Sequence, residues 1–219
     1  MDNGVILIDK PSGMTSFGVV ARIRRQLSNR YSKKIKVGHT GTLDPFATGL
    51  MILVIGSECK KADLYSKLDK SYEATIRLGQ VSTTGDPEGQ LTDFSNIVPT
   101  ISDINSTVKQ FIGEISQTPP IFSAIKIDGQ RAYKMARAGK EITMPIRQIK
   151  IYSLDILGYE YPELKIRANV SSGTYIRTLA EDIGKALGTG AYCSELRRIS
   201  IGSWSITDAK NLQEFGIID

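Results

Sequence analysis

Gly38-His39-Thr40-Gly41-Thr42-Leu43-Asp44-Pro45-Phe46-Ala47-Thr48-Gly49 is the stretch from which the rest of the chain is read. Glycine and an Asp-Pro pair oppose regular pairing, so the segment reads as an irregular loop between two ordered elements. The six apolar residues Leu50 to Ile55 follow it directly, and Met51 to Ile55 read as a buried strand. Loops on a rigid scaffold are where binding and chemistry concentrate. Asp44 is the only acid between Asp9 and Glu58, and His39 is the only histidine in 219 residues. Each has an ordinary alternative: Asp44 as a turn residue before proline, His39 as a hydrogen-bonded structural residue.

Working outward, charge is the next signal. The net charge is +5, and it is unevenly spread. Arg22, Arg24, Arg25, Arg30, Lys33, Lys34 and Lys36 precede the loop with no acid among them, and Lys126 to Lys150 holds seven bases against Asp128 and Glu141. A charge run often only solvates a face. Two such runs, one leading into a glycine loop, point to a phosphate backbone and make nucleic acid the expected partner.

Hydrophobic content of 41% and charged content of 23% are ordinary for a globular chain long enough to build a core without staples. No apolar run is long enough to span a bilayer, and the first residues do not resemble a signal peptide, so no membrane is expected. Cys59 and Cys193 are isolated, with no CxxC pair, which argues against a zinc site or a disulfide framework and fits the cytoplasm.

The order of elements is mixed. Val5 to Ile8 reads as a strand, and Thr15-Ser16 as the cap of a helix to about Leu27. Glu58 to Leu68 reads as a short helix. Tyr72, Ala74, Ile76 and Leu78 alternate with polar residues, as in a half-buried strand. Ser82 to Pro99 is a polar excursion, after which Ser102 is expected to cap a helix to Ile112. Phe122 to Ile127 reads as a strand entering an Asp128-Gly129 turn, followed by a helix over 132–138. Strands over 148–158 and 163–171 precede a helix from Tyr175 to Leu187, with Ile176, Leu179, Ala180, Ile183 and Leu187 as its apolar stripe and Gly188 as its stop. Tyr192 to Ile201 reads as a strand and Asp208 to Phe215 as a last helix. With no repeat or linker, the expectation is a single domain over 1–219. Its expected class is α+β (mixed α/β), with a central, largely antiparallel mixed sheet flanked by helices and loops.

Several motifs carry rival readings. The loop lacks the GK[ST] of a phosphate-binding P-loop, and its Gly38-His39-Thr40-Gly41 matches a GXXG too short to carry weight. Arg177 either forms a solvated pair with Glu181 or keeps a carboxylate of another element charged. Tyr72 either packs in the core or stacks on a base. Leu196-Arg197-Arg198-Ile199 has an ordinary reading as a basic edge strand.

Taken together, the motifs resemble a known family. Asn3-Gly4-Val5-Ile6-Leu7-Ile8-Asp9-Lys10-Pro11-Ser12-Gly13-Met14-Thr15-Ser16 resembles the lysine-proline motif of TruB-type tRNA pseudouridine synthases, and the segment from Gly38 to Gly56 is similar to their catalytic loop. Lys70-Ser71-Tyr72, the stretch from Gln117 to Lys126, the stretch from Ser172 to Thr178, and Leu196-Arg197-Arg198 match further motifs in order and spacing. The resemblance implies the pseudouridine synthase catalytic fold and isomerisation of uridine to pseudouridine at position 55 of tRNA. It further implies no cofactor, no metal, the T-arm stem-loop of tRNA as partner, and a short form without the C-terminal PUA domain; a monomer is the simplest expectation. It assigns Asp44, Tyr72 and Arg177 to catalysis: Asp44 as the reacting carboxylate, Tyr72 stacked on the target ring, Arg177 as the cation that holds Asp44 charged. Lys10, His39, Tyr175 and Leu196 are assigned to substrate binding. Rival expectations are a non-catalytic RNA binder on the same scaffold, and a glycoside-cleaving hydrolase that would need a second acid near the loop.

Overall fold

A computed structural model describes residues 3–217. In chain order its elements are β1 (Gly4–Lys10), α1 (Ser16–Arg30), β2 (Val37–His39), β3 (Thr48–Ile55), α2 (Ala62–Ser66), β4 (Lys70–Leu78), β5 (Gln80–Ser82) and β6 (Leu91–Asp93). There follow α3 (Ile101–Lys109), β7 (Gly113–Gln117), β8 (Lys126–Ile127), β9 (Gln130–Arg131), α4 (Ala132–Arg137), β10 (Arg147–Glu160), β11 (Glu163–Val170), α5 (Ile176–Ala186), β12 (Ala191–Ile201) and β13 (Trp204–Ser205). The fold is therefore α+β with a mixed sheet and flanking helices. Among the described residues no helix is long and apolar enough to cross a membrane.

The chain forms two compact units: one comprises residues up to Tyr72 together with those from Leu196 onward, the other Glu73–Glu195. In the first, strand order is β1-β3-β12, with β2 on β3 and β13 on β12. β1 pairs antiparallel along β3, from Gly4↔Ile55 to Lys10↔Gly49. The other edge of β3 is shared, taking β12 in parallel at Thr48 and Gly49 and β2 antiparallel at Leu53 to Ile55. Leu50, Ile52 and Val54 pack with Ile201, Val5, Leu7 and Trp204 on one face. The alternate residues Met51, Leu53 and Ile55 are fully buried on the other. Cover on both faces explains why β3 reads as an unbroken apolar run instead of an alternation. Helix α1 is capped by the Thr15 side chain and buries Val19, Val20, Ile23 and Leu27. The backbone of Lys210 pairs with Leu7 and Asp9, closing the outer edge of β1.

In the second unit the order is β12-β4-β11-β10-β7. β10 pairs antiparallel with both β11 and β7. The tips are small hairpins, β5 with β6 and β8 with β9. Asp128 and Gly129 both have positive φ (49° and 80°), which an Asp-Gly hairpin turn demands. β4 and β12 each run through the boundary between the units.

The structure corrects five expectations, the first being the strand over Phe122 to Ile127, of which only Lys126–Ile127 pair. β4 is nearly fully buried, only Glu73 and Arg77 being partly exposed, because Thr75 is buried while donating to Glu195 Oε2 at 2.8 Å. α3 begins after Thr100, whose side chain forms a reciprocal capping box with Asp103, so Ser102 lies inside the helix. The final helix is instead two short 3₁₀ turns, Ile206–Asp208 and Gln213–Phe215, with Lys210 between them drawn into a bridge with Ile8. Finally, β12 is an interior strand, and Arg198, only 1% exposed, is not an edge charge.

Candidate active site

The glycine loop is tied down on every side within the first unit. Ser16 Oγ accepts from Leu43 N–H at 2.8 Å and donates to Leu43 C=O at 2.9 Å, gripping the residue before Asp44. Lys10, fully buried, donates from Nζ to the carbonyls of Pro11, Met14 and Pro45 at 2.8, 2.6 and 3.1 Å. Gly13 N–H donates to the same Pro45 carbonyl, and Ser12 Oγ to Phe46 C=O. The lysine-proline turn is thus a cradle for the two residues after Asp44. A buried ammonium is costly unless its protons have partners, and here three carbonyl acceptors converge on it.

Arg198 holds the other end of the loop, with Nε donating to Leu50 C=O at 2.7 Å and Nη2 to Gly41 C=O at 3.2 Å. Its backbone lies against Gly49 (φ +106°), where an added Cβ would overlap the Arg198 carbonyl oxygen and nitrogen. Only glycine fits at that position. Arg197 forms a bidentate pair with Asp9, at 3.0 and 2.6 Å, and reaches Thr48 Oγ1. Between these anchors Asp44 is half-buried, and its C=O accepts from Ala47 N–H in a tight turn. His39 ends β2, half-buried, beside Leu53 in register. Tyr72 and Leu196, each 8% exposed, lie on β4 and β12. Lys70 Nζ is buried against the Ser66 and Leu68 carbonyls, and burial together with the nearby Arg198 charge lowers its pKa to about 8.

In the second unit Arg177, at the second position of α5, is 3% exposed. Nη1 donates to Thr84 C=O and to Asp86 Oδ2, both at 2.8 Å, and Nη2 to Phe122 C=O at 2.8 Å. Asp86 is as deeply buried, and its other oxygen accepts from Thr84 Oγ1 at 2.6 Å and Glu88 N–H at 3.0 Å. Gly85 (φ +72°) leaves room for the Glu181 carboxylate, whose pKa burial pushes up against the opposing pull of Arg177. Tyr175, half-buried, is clamped through its backbone: N–H donates to Gln117 Oε1 at 2.8 Å and C=O accepts from Gln117 Nε2 at 3.1 Å.

The lysine-proline turn, the Asp44 loop and Arg197-Arg198 therefore come together in one unit, and Tyr175 and Arg177 at the start of α5 in the other. Sequence reasoning missed Asp86 and Gln117. The first sat in a Gly-Asp-Pro stretch that reads as a turn; the second lay inside a quoted motif without a role. The seven bases from Arg22 to Lys36 and the seven from Lys126 to Lys150 are all exposed.

Residues 25–176 match the model of the TruB family pseudouridylate synthase N-terminal domain, and residues 177–216 that of the tRNA pseudouridylate synthase B C-terminal domain. The chain is 44% identical over 210 residues to tRNA pseudouridine synthase B of Aromatoleum aromaticum, covering 96% of this chain and 67% of that protein. It is 41% identical to the protein of the same name from Opitutus terrae, covering 96% and 86%. Among solved structures it is similar to a chain of a Cbf5-Nop10-Gar1 complex, with 31% identity, a TM-score of 0.73, and 97% of this chain but 53% of that one covered. It is also similar to a chain of an H/ACA RNP bound to a substrate RNA containing 2'-deoxyuridine, with 29% identity and a TM-score of 0.71, covering 100% and 57%. The chain thus spans about two thirds of the first of these curated relatives and about half of the solved chains. On the family models and this level of identity, the chain belongs to the TruB family of pseudouridylate synthases.

Proposed function

We infer that this protein is a tRNA pseudouridine synthase, an isomerase that converts uridine to pseudouridine in tRNA. The observation that carries the reading is the loop of Asp44, its backbone held on both sides of the acid by Ser16, Lys10 and Arg198, in a chain similar along almost its whole length to proteins named tRNA pseudouridine synthase B. The finer reading is uridine 55 of the TΨC arm, in the cytoplasm, by a monomer acting as a single catalytic domain.

In this reading the target nucleotide leaves its stack, at a cost of a few kcal/mol, which contact with Tyr72 and Leu196 offsets. Asp44 acts at the ribose or on the ring. The N1–C1′ bond breaks and the uracil turns while held. C5 then bonds to C1′, the C5 proton is lost, and N1 gains one, so the reaction is a balanced isomerisation. Arg177 keeps Asp44 ionised; His39, Lys10 and Tyr175 hold the displaced nucleotide. The exposed bases of both runs grip the RNA backbone by shape.

Single-turnover reaction of wild type and Asp44→Asn with an unmodified tRNA transcript tests this. Wild type is expected to form pseudouridine and the variant none. Unaltered RNA from both would replace the reading with that of a binder, and free uracil with that of a hydrolase.

A further inference from the structure

Helix α1 carries an aromatic residue that the fold does not use. Its buried stripe is Ser16, Val19, Val20, Ile23 and Leu27. Phe17 lies outside the stripe and is 64% exposed. The Arg24 guanidinium carbon is 5.9 Å from the Phe17 ring centroid, two turns along the same flank. Next to Phe17 is Gly18, a poor helix residue. A Cβ there would crowd Met14 and Thr15 side-chain atoms at 3.2 Å and touch Arg22 Nη1 at an ordinary 3.6 Å, which places the Arg22 guanidinium beside Gly18. An exposed ring beside the Arg24 guanidinium, with the Arg22 guanidinium near the neighbouring Gly18 and no acid in the first turn of the helix, is the composition of a nucleotide platform.

Its place in the fold is equally specific. Phe17 directly follows Ser16, whose hydroxyl grips both backbone groups of Leu43, and Leu43 precedes Asp44. The helix turn that carries Phe17 is therefore tied to the Asp44 loop within one unit. Swinging a nucleotide out of a folded RNA loop leaves its neighbours unstacked as well, and an unstacked base needs a flat surface. We propose that Phe17, Arg22 and Arg24 form an RNA subsite that takes a nucleotide adjacent to the reacting uridine, its base stacked on Phe17 and its phosphate held by the arginines. This rests on the synthase reading above and adds to it a contact beyond the target nucleotide.

The test uses the full chain and a T-arm stem-loop transcript with 2-aminopurine placed on either side of the target uridine. Phe17→Ala and Phe17→Leu are each expected to raise the RNA Kd about tenfold and to abolish the fluorescence change of one of the two probes, while Phe17→Trp keeps both. Arg24→Gln is expected to lower the log–log salt slope by about 1. A Phe17→Ala Kd within twofold of wild type overturns the proposal, whether or not that variant loses a self-association that wild type shows. So does normal binding by Phe17→Leu, which would reduce the contact to apolar area. Wild type that binds the stem-loop through Phe17 but forms no pseudouridine would sink the synthase reading and leave the subsite standing.

Discussion

Replacing Asp86 by asparagine tests the reading of the Arg177 site as a buried, mutually dependent pair. Both side chains are almost sealed, 3% and 4% exposed. Taking the charge from Asp86 removes the anion that Arg177 Nη1 holds at 2.8 Å, and breaking such a pair costs about 3–5 kcal/mol. The amide can turn its oxygen toward Arg177 Nη1, but its NH₂ then faces Glu88 N–H, which the carboxylate now satisfies at 3.0 Å. That sets one donor against another at this position, and about 3 kcal/mol, the lower end of the range, is the expected loss. For a chain of this size about 3 kcal/mol corresponds to a fall in Tm of roughly 6–12 °C, measurable by calorimetry alongside urea unfolding. A double-mutant cycle with Arg177→Met and Asp86→Leu is expected to return a coupling above about 2 kcal/mol, the double variant being more stable than the sum of its parts. Under the function proposed above, the double variant is also expected to lack synthase activity. A coupling below about 0.5 kcal/mol, or an Asp86→Asn Tm within 2 °C of wild type (roughly the shift of 0.5–1 kcal/mol), would refute the argument that each charge depends on the other.

Two further outcomes follow from the first unit. Gly49→Ala puts a Cβ into the Arg198 backbone at a φ of +106°, so it is expected to destabilise by roughly 3 kcal/mol or more and to lower activity with it; wild-type urea unfolding in this variant would contradict the fit described. Lys70, with its folded pKa lowered to about 8 from 10.5, holds its proton less tightly folded than unfolded. Between those two values the unfolded chain binds more protons, so wild-type stability rises with pH relative to Lys70→Met, by about 2 kcal/mol. Below pH 8 both states carry the proton and the difference is flat. A constant difference from pH 7 to 10.5 would show that the lysine is not titrating in the fold.

Much of the architecture was legible because it depends on local pattern. The stripe of α5, the apolar run of β3 and the Asp128-Gly129 turn are each set by residues close together in sequence, and each formed where expected. What was not legible depends on distant partners. Thr75 looks like a surface alternation until Glu195 reaches it, and Arg198 looks like an edge charge until the Gly41 and Leu50 carbonyls close on it. At the site, Lys10 and Asp44 stood in recognisable motifs. Asp86 did not, since a Gly-Asp-Pro turn gives no hint that a buried guanidinium 91 residues later will claim its acid.

The route of the chain through the first unit bears on how the protein is made. That unit is left at Tyr72 and regained only at Leu196, so a ribosome has emitted the whole of Glu73–Glu195 before Arg198 can grip the Asp44 loop. Until then β3 has no parallel neighbour at Thr48 and Gly49, and the reactive loop has no anchor at that end. A truncation that removes Leu196 to Ile201 is therefore expected to leave the Asp44 loop without its Arg198 bonds however complete the earlier motifs are.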